Sequence, residues 1–116
     1  MWRKVLWNHI NSHDSRIAEG KAHQSKRFDY LTGHDLVGIS TFVFVSAKLV
    51  DRINDIEWFE IKTGFKGNLG NKGVIILFLT VDSTPITIMN CHLAAGETKS
   101  NERIQDIDYI HREAIK

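Results

Sequence analysis

Lys62 to Ala95 reads KTGFKGNLGNKGVIILFLTVDSTPITIMNCHLAA, and its interpretation decides the fold. A glycine-punctuated loop leads into an apolar strand, a tight turn and a second strand follow, and a histidine stands where that strand runs out. Gly64, Gly67, Gly70 and Gly73 recur at a spacing of three. Glycine at such density permits positive φ and lets backbone N–H groups approach a ligand closely. A Walker-type phosphate loop needs Gly-Lys-Ser/Thr opening a helix, whereas Gly70-Asn71-Lys72-Gly73 opens the strand VIILFLTV. The equal spacing also misses the dinucleotide fingerprint. On glycine count alone, a wide hairpin loop with bulges is the better reading.

Val74–Val81 and Ile86–Cys91 are joined by Asp82-Ser83-Thr84-Pro85, a turn that ends at the one proline of the chain. The two runs are expected to be adjacent antiparallel strands, buried on both faces. On the second, Ile88, Asn90 and His92 share one face, while Thr87, Met89, Cys91 and Leu93 share the other. A buried Asn90 must find hydrogen-bond partners. His92, beside the small residues Ala94, Ala95 and Gly96, is a candidate for chemistry, although half-buried structural histidines are commoner. Cys91 should face away from it, which argues against a Cys–His nucleophilic pair.

Upstream, Trp2, Val5, Leu6, His9 and Ile10 approach the spacing of an amphipathic helix over residues 2–11, with its two tryptophans expected to pack against a sheet. Residues 11–27 are polar and aperiodic. His9, His13 and His23 invite a metal reading, but no carboxylate or thiol set completes a tetrahedral site, so solvated histidines are favoured. RFDYL is a short strand with a turn expected at Thr32-Gly33-His34, and LVGISTFVFVSA is a strand apolar on both faces, as if covered on both sides. A helical turn or two is expected between Ala47 and Ile53, and DIEWFEIKTG alternates as a strand. Downstream, Ile104, Ile107, Ile110 and Ala114 mark an amphipathic helix from about Ser100, with Ser100 or Asn101 as its cap.

At 116 residues the chain has the size of one domain and can bury about two thirds of its unfolded surface. A net charge of +1, from 15 basic and 14 acidic side chains, gives no electrostatic argument for nucleic acid. The single Cys91 excludes an internal disulfide framework and suits a reducing compartment. The N-terminus lacks the apolar core of a signal peptide, and Val74–Leu79 is too short to span a bilayer, so a soluble intracellular chain is expected. No linker or repeat divides residues 1–116, which read as a single domain.

Four pieces, LVGISTFVFV, IKTGFKGNLGNKGVI, NCHLAAG and ERIQD, resemble in order and spacing the catalytic domain of inositol polyphosphate 5-phosphatases, most of all the synaptojanin type. The likeness runs from about Leu36 to the end and is weaker for the first helix and FDYL. It implies a partial DNase-I-like (endonuclease/exonuclease/phosphatase) α/β fold, a two-sheet sandwich of mostly antiparallel strands with flanking helices. It implies magnesium-dependent hydrolysis of the 5-phosphate of inositol phosphates or phosphoinositides, at a cytoplasmic location with contact to membranes through a lipid headgroup. His92 then inherits contact with the scissile phosphate, Asn71 a catalytic place beside it and Lys72 a place in phosphate binding. Asn90, Arg103 and Asp106 are expected to support and orient.

The departures are equally specific. The family's magnesium-binding glutamate belongs upstream, and its GDFN-like, WCDR-like and terminal Asp-His motifs belong downstream; none occurs in this sequence. Ile104 and Ile107 stand where more polar or aromatic residues are usual, and Ile75–Phe78 replaces a mixed strand. The expectation is the central part of such a domain, inactive alone, supplying no metal ligand and leaving sheet edges open to self-association. A non-catalytic module that binds phosphoinositides or a protein through the glycine loop is the alternative, and a nuclease is a weaker third, for want of a basic stripe.

Overall fold

A computed structural model describes residues 1–12, 27–63 and 71–115. Helix α1 (Trp2–Ser12) precedes strands β1 (Phe28–Leu36) and β2 (Ile39–Ser46), a short 3₁₀ turn (Val50–Arg52), strands β3 (Ile53–Lys62), β4 (Gly73–Val81) and β5 (Thr84–His92), a second 3₁₀ turn (Glu97–Lys99) and helix α2 (Ser100–Ala114). β1 and β2 form one antiparallel ribbon, and β3-β4-β5 form a three-stranded antiparallel sheet. The glycine loop at Gly64, Gly67 and Gly70, and His13 and His23, lie outside the described residues.

The core is organised on β4, whose VIILFL run is apolar on both faces because both faces are covered. Val74 and Ile76 pack against Ile110 of α2, with Ile61, Phe78 and Leu93 around them. The other face carries Ile75 and Leu77, which are also fully buried. Trp58 lies opposite Leu77, and Asn90 opposite Ile75, so both share that second face. From there they reach the β1–β2 ribbon: Trp58 Nε1 donates to Thr32 Oγ1 at 2.9 Å, and Asn90 Nδ2 donates to Thr41 Oγ1 at 2.9 Å. His34 stacks on Trp58 with ring centroids 5.5 Å apart, and its Nε2 lies 3.5 Å from Glu60. Two sheets are thus joined face to face, and α2 closes the outer side.

Gly73 begins β4 because a side chain would not fit: a Cβ there would stand 2.4 Å from the Ile61 carbonyl oxygen. Asn11 ties α1 to β1. Its Nδ2 donates to the Trp7 and Phe28 carbonyls, and its Oδ1 accepts from the Arg27 and Phe28 amides.

Several local expectations are corrected. Thr32, Gly33 and His34 are not a turn but lie within β1, paired with Val43, Phe42 and Thr41. The turn falls at Val37-Gly38, where positive φ is confined to Gly38 at +85°, the pattern of a type II turn. β2 is mostly half-buried rather than covered on both sides. β5 is apolar yet largely exposed, because it is the edge strand and α2 packs over β3 and β4 instead. Pro85 sits inside this edge strand opposite Thr80, where its missing N–H costs least. α1 contains no buried residue: Trp2 is exposed and Trp7 half-buried. Neither Ser100 nor Asn101 caps α2; Lys99 occupies that position, without a side-chain cap bond.

The β4–β5 turn carries an acid-sensitive contact. Asp82, at a left-handed φ of 54°, takes a two-point hydrogen bond from Arg52. That bond, aided by the attraction between the charges, holds the Asp82 carboxyl below the usual carboxylate range. A depressed native value contributes stability above the unfolded value of about 3.9 and loses it as pH falls below that point. The pair lies at the surface, where solvent screens it, so the effect is small. In acid titrations followed by circular dichroism, Asp82→Asn is expected to remove this part of the stability loss below about pH 4 and to leave neutral-pH stability slightly lower.

Candidate functional site

His92, Lys72 and Asn71 meet where β4 begins and β5 ends. Antiparallel register places His92 opposite Gly73, so Lys72 on the approach to β4 lies beside the imidazole. Lys72 Nζ stands 2.7 Å from His92 Nε2. An ammonium has donors only, so a charged Lys72 donates to Nε2 and leaves the ring proton of a neutral His92 on Nδ1. Nδ1 is itself buried and has no hydrogen-bond partner among the described residues. Asn71 is exposed, while Lys72 and His92 are half-buried. The Thr63 amide donates to the Lys72 carbonyl at 3.1 Å and closes the base of the glycine loop. Thr63 Oγ1 is also buried and, among the described residues, without a hydrogen-bond partner.

The supporting residues separate into two groups. Asn90 faces the β1–β2 ribbon: besides Thr41, its Nδ2 lies 3.4 Å from the Ser40 carbonyl. Arg103 and Asp106, on the inner face of α2, hold the segment after His92. Arg103 donates to the Ala94 carbonyl at 3.2 Å and the Gly96 carbonyl at 2.8 Å, while Asp106 Oδ2 accepts from the Ala94 amide at 3.2 Å. Helix α2 therefore fixes the backbone that leaves the histidine. Asp106→Ala is expected to lower stability by about 1 kcal/mol, the net worth of a hydrogen bond, measured as a shift in the urea midpoint at unchanged m-value.

Cys91 points to the face away from His92, since it pairs with Val74 while His92 pairs with Gly73. The residue is exposed overall, yet partial burial pushes its thiol above the ordinary value. A thiol so placed is a poor nucleophile at neutral pH. Among the described residues no group of three or more His, Cys, Asp or Glu side chains is placed to share a metal ion. By themselves these residues do not complete a metal centre.

One contact escaped the reading of the motifs. Gly38, in the β1–β2 turn, comes against both Asn71 and His92: a Cβ on it would lie 3.1 Å from His92 Nδ1 and 3.2 Å from Asn71 Nδ2. The signal was present as an isolated glycine inside the strand pattern LVGIST, which marks close backbone approach.

Comparison with known proteins agrees with this architecture. The family model described as Endonuclease/Exonuclease/phosphatase family 2 matches residues 1–115. A probable inositol polyphosphate 5-phosphatase of Schizosaccharomyces pombe is 36% identical over 110 residues, covering 95% of this chain and 8% of the relative. Human synaptojanin-2 is 35% identical over 87 residues, covering 75% of this chain and 6% of the relative. Among solved structures, the inositol polyphosphate 5-phosphatase domain of SPsynaptojanin, in complex with inositol (1,4)-bisphosphate and a calcium ion, superposes with a TM-score of 0.68 at 30% identity. That match covers 82% of this chain and 27% of the solved one. The chain thus spans less than a tenth of the curated relatives and about a quarter of the solved domain. With the family model matched along nearly its whole length, the chain belongs to the endonuclease/exonuclease/phosphatase family.

Proposed function

We propose that this chain is the central part of a catalytic domain that hydrolyses the 5-phosphate of inositol phosphates or phosphoinositides. The observation that carries the proposal is the Lys72–His92 contact at the strand end, beside Asn71, in a fold shared with a phosphatase domain solved with an inositol bisphosphate. Lys72 supplies a positive charge and three donors for phosphate oxygens. A phosphate that draws the ammonium towards itself frees His92 Nε2; on taking up a proton from solvent water there, the ring donates to a phosphoryl oxygen whose charge changes during hydrolysis. Asn71 contributes an amide that orients the group. Magnesium is the ion of this reading, with ligands from outside the described residues. A cytoplasmic location, with membranes met through the headgroup, goes with this reading; among the described residues no helix is long and apolar enough to cross a membrane.

The test exchanges this chain for the matching segment of the SPsynaptojanin 5-phosphatase domain. Phosphate release from a 5-phosphorylated inositol phosphate with Mg²⁺ is then measured for the chimaera, the parent domain and this chain alone. Activity is expected in the chimaera and none in the chain alone. A folded chimaera that releases no phosphate but binds inositol phosphate overturns the catalytic reading in favour of a binding module.

A further inference from the structure

We propose that Gly38 is a positioning residue, whose bare backbone holds the His92 ring from the Nδ1 side while Lys72 holds it from the Nε2 side. The inference rests on the reading of His92 as the phosphate-contacting residue. Its first support is geometric. The point where a Gly38 Cβ would sit is 3.1 Å from His92 Nδ1, 3.2 Å from Asn71 Nδ2 and 3.3 Å from Asn71 Cβ, all closer than ordinary van der Waals contact. One missing methyl group thus makes room for two side chains of the candidate site. The second support is independent of the glycine: Nδ1 is buried, and among the described residues no hydrogen-bond partner sets the ring on that side. Gly38 lies on that side, and its lack of a Cβ leaves the ring its room.

The turn is anchored well enough to serve. Leu36, two residues before Gly38, packs near Gly73 at the start of β4: its Cδ2 is 3.2 Å from where a Gly73 Cβ would lie. On the other side Thr41 Oγ1 takes the bond from Asn90 on β5, the strand that ends in His92. Both strands of the ribbon are therefore tied to the sheet that carries the histidine. Gly38 at φ +85° needs glycine or a residue that tolerates the left-handed region. Two requirements fall on one residue, a positive φ and no Cβ, and they can be separated. Asparagine tolerates positive φ far better than alanine, yet both carry the Cβ.

The experiment compares Gly38→Ala and Gly38→Asn with the unchanged chain. In the unchanged chain, nitrogen-15 NMR of the imidazole is expected to place the ring proton on Nδ1, and a nuclear Overhauser effect should connect the Gly38 α-protons to the His92 ring. In both variants the His92 ring shifts are expected to move by similar amounts. In the chimaeric domain both should lower kcat about 10- to 100-fold with KM within about twofold, as a misplaced catalytic group does. Wild-type-like ring shifts and kcat in Gly38→Asn, with a loss in Gly38→Ala alone, reduce the glycine to a turn residue and overturn the proposal. If both variants fail to fold, the unchanged chain still decides: a proton on Nε2, or no Overhauser contact, overturns it. An inactive chimaera with the expected ring contacts overturns the phosphatase reading and leaves the placement of His92 by Gly38 standing.

Discussion

Replacing His92 with alanine in the chimaeric domain is expected to lower kcat/KM for 5-phosphate release by about 100- to 1,000-fold, the range for losing one preorganised donor at a reacting oxygen. The side chain stands at the end of β5 with its ring held against Lys72, so truncation removes a donor without disturbing a buried apolar cluster. The fold should survive, because the core residues on β4 and α2 do not include it. Lys72→Met provides the complementary loss. Without the ammonium, a phosphate loses a charge-assisted partner, and the rise should appear mainly in KM. Equal activity of His92→Ala and the parent chimaera, with both folded, would show that the histidine is a structural strand-end residue. Steady-state kinetics on the purified proteins, after circular dichroism confirms folding, distinguishes these outcomes.

Ile76→Ala is expected to cost about 2–5 kcal/mol, a large share of the roughly 5–15 kcal/mol that stabilises an ordinary domain. Ile76 is 1% exposed and packs with Val74 and Ile110, so its loss opens a cavity between β4 and α2. Ile88→Ala removes the same atoms from β5, where the residue is 40% exposed, and should cost about 1 kcal/mol or less. Urea unfolding of the two variants tests the contrast, with the midpoint falling far more for Ile76→Ala at a similar m-value. Similar losses from both would mean that β5 is covered in solution. An edge strand this apolar is the natural place for such cover, by a neighbouring strand or another copy of the chain.

The resemblance of four motifs, LVGISTFVFV, IKTGFKGNLGNKGVI, NCHLAAG and ERIQD, carried the family and the fold class, and the matched family model and the superposed phosphatase domain agree with both. Pattern carried the central strand: VIILFL is apolar at every position, and the structure covers it on both faces. The opposed faces of Cys91 and His92 follow from the two-residue alternation of any strand, which is a local property of the backbone.

Other features depended on what packs against what. The β5 run looks as apolar as a buried strand, and only the position of α2 over β3 and β4 shows it to be an exposed edge. Thr32-Gly33-His34 reads as a turn by composition, yet the ladder to β2 runs through it, and the chain reverses at Val37-Gly38 instead. Arg103 and Asp106 were legible as helix residues, whereas their grip on Ala94 and Gly96 depends on how α2 returns across the strand end. The contact of Gly38 with Asn71 and His92 is of the same kind. By itself the sequence determined most of the segments that extend or coil and which face of each is apolar, since these follow from neighbours along the chain. Which faces are covered, and which distant residues meet around His92, only the tertiary structure decided, because burial and contact belong to the packing of whole elements.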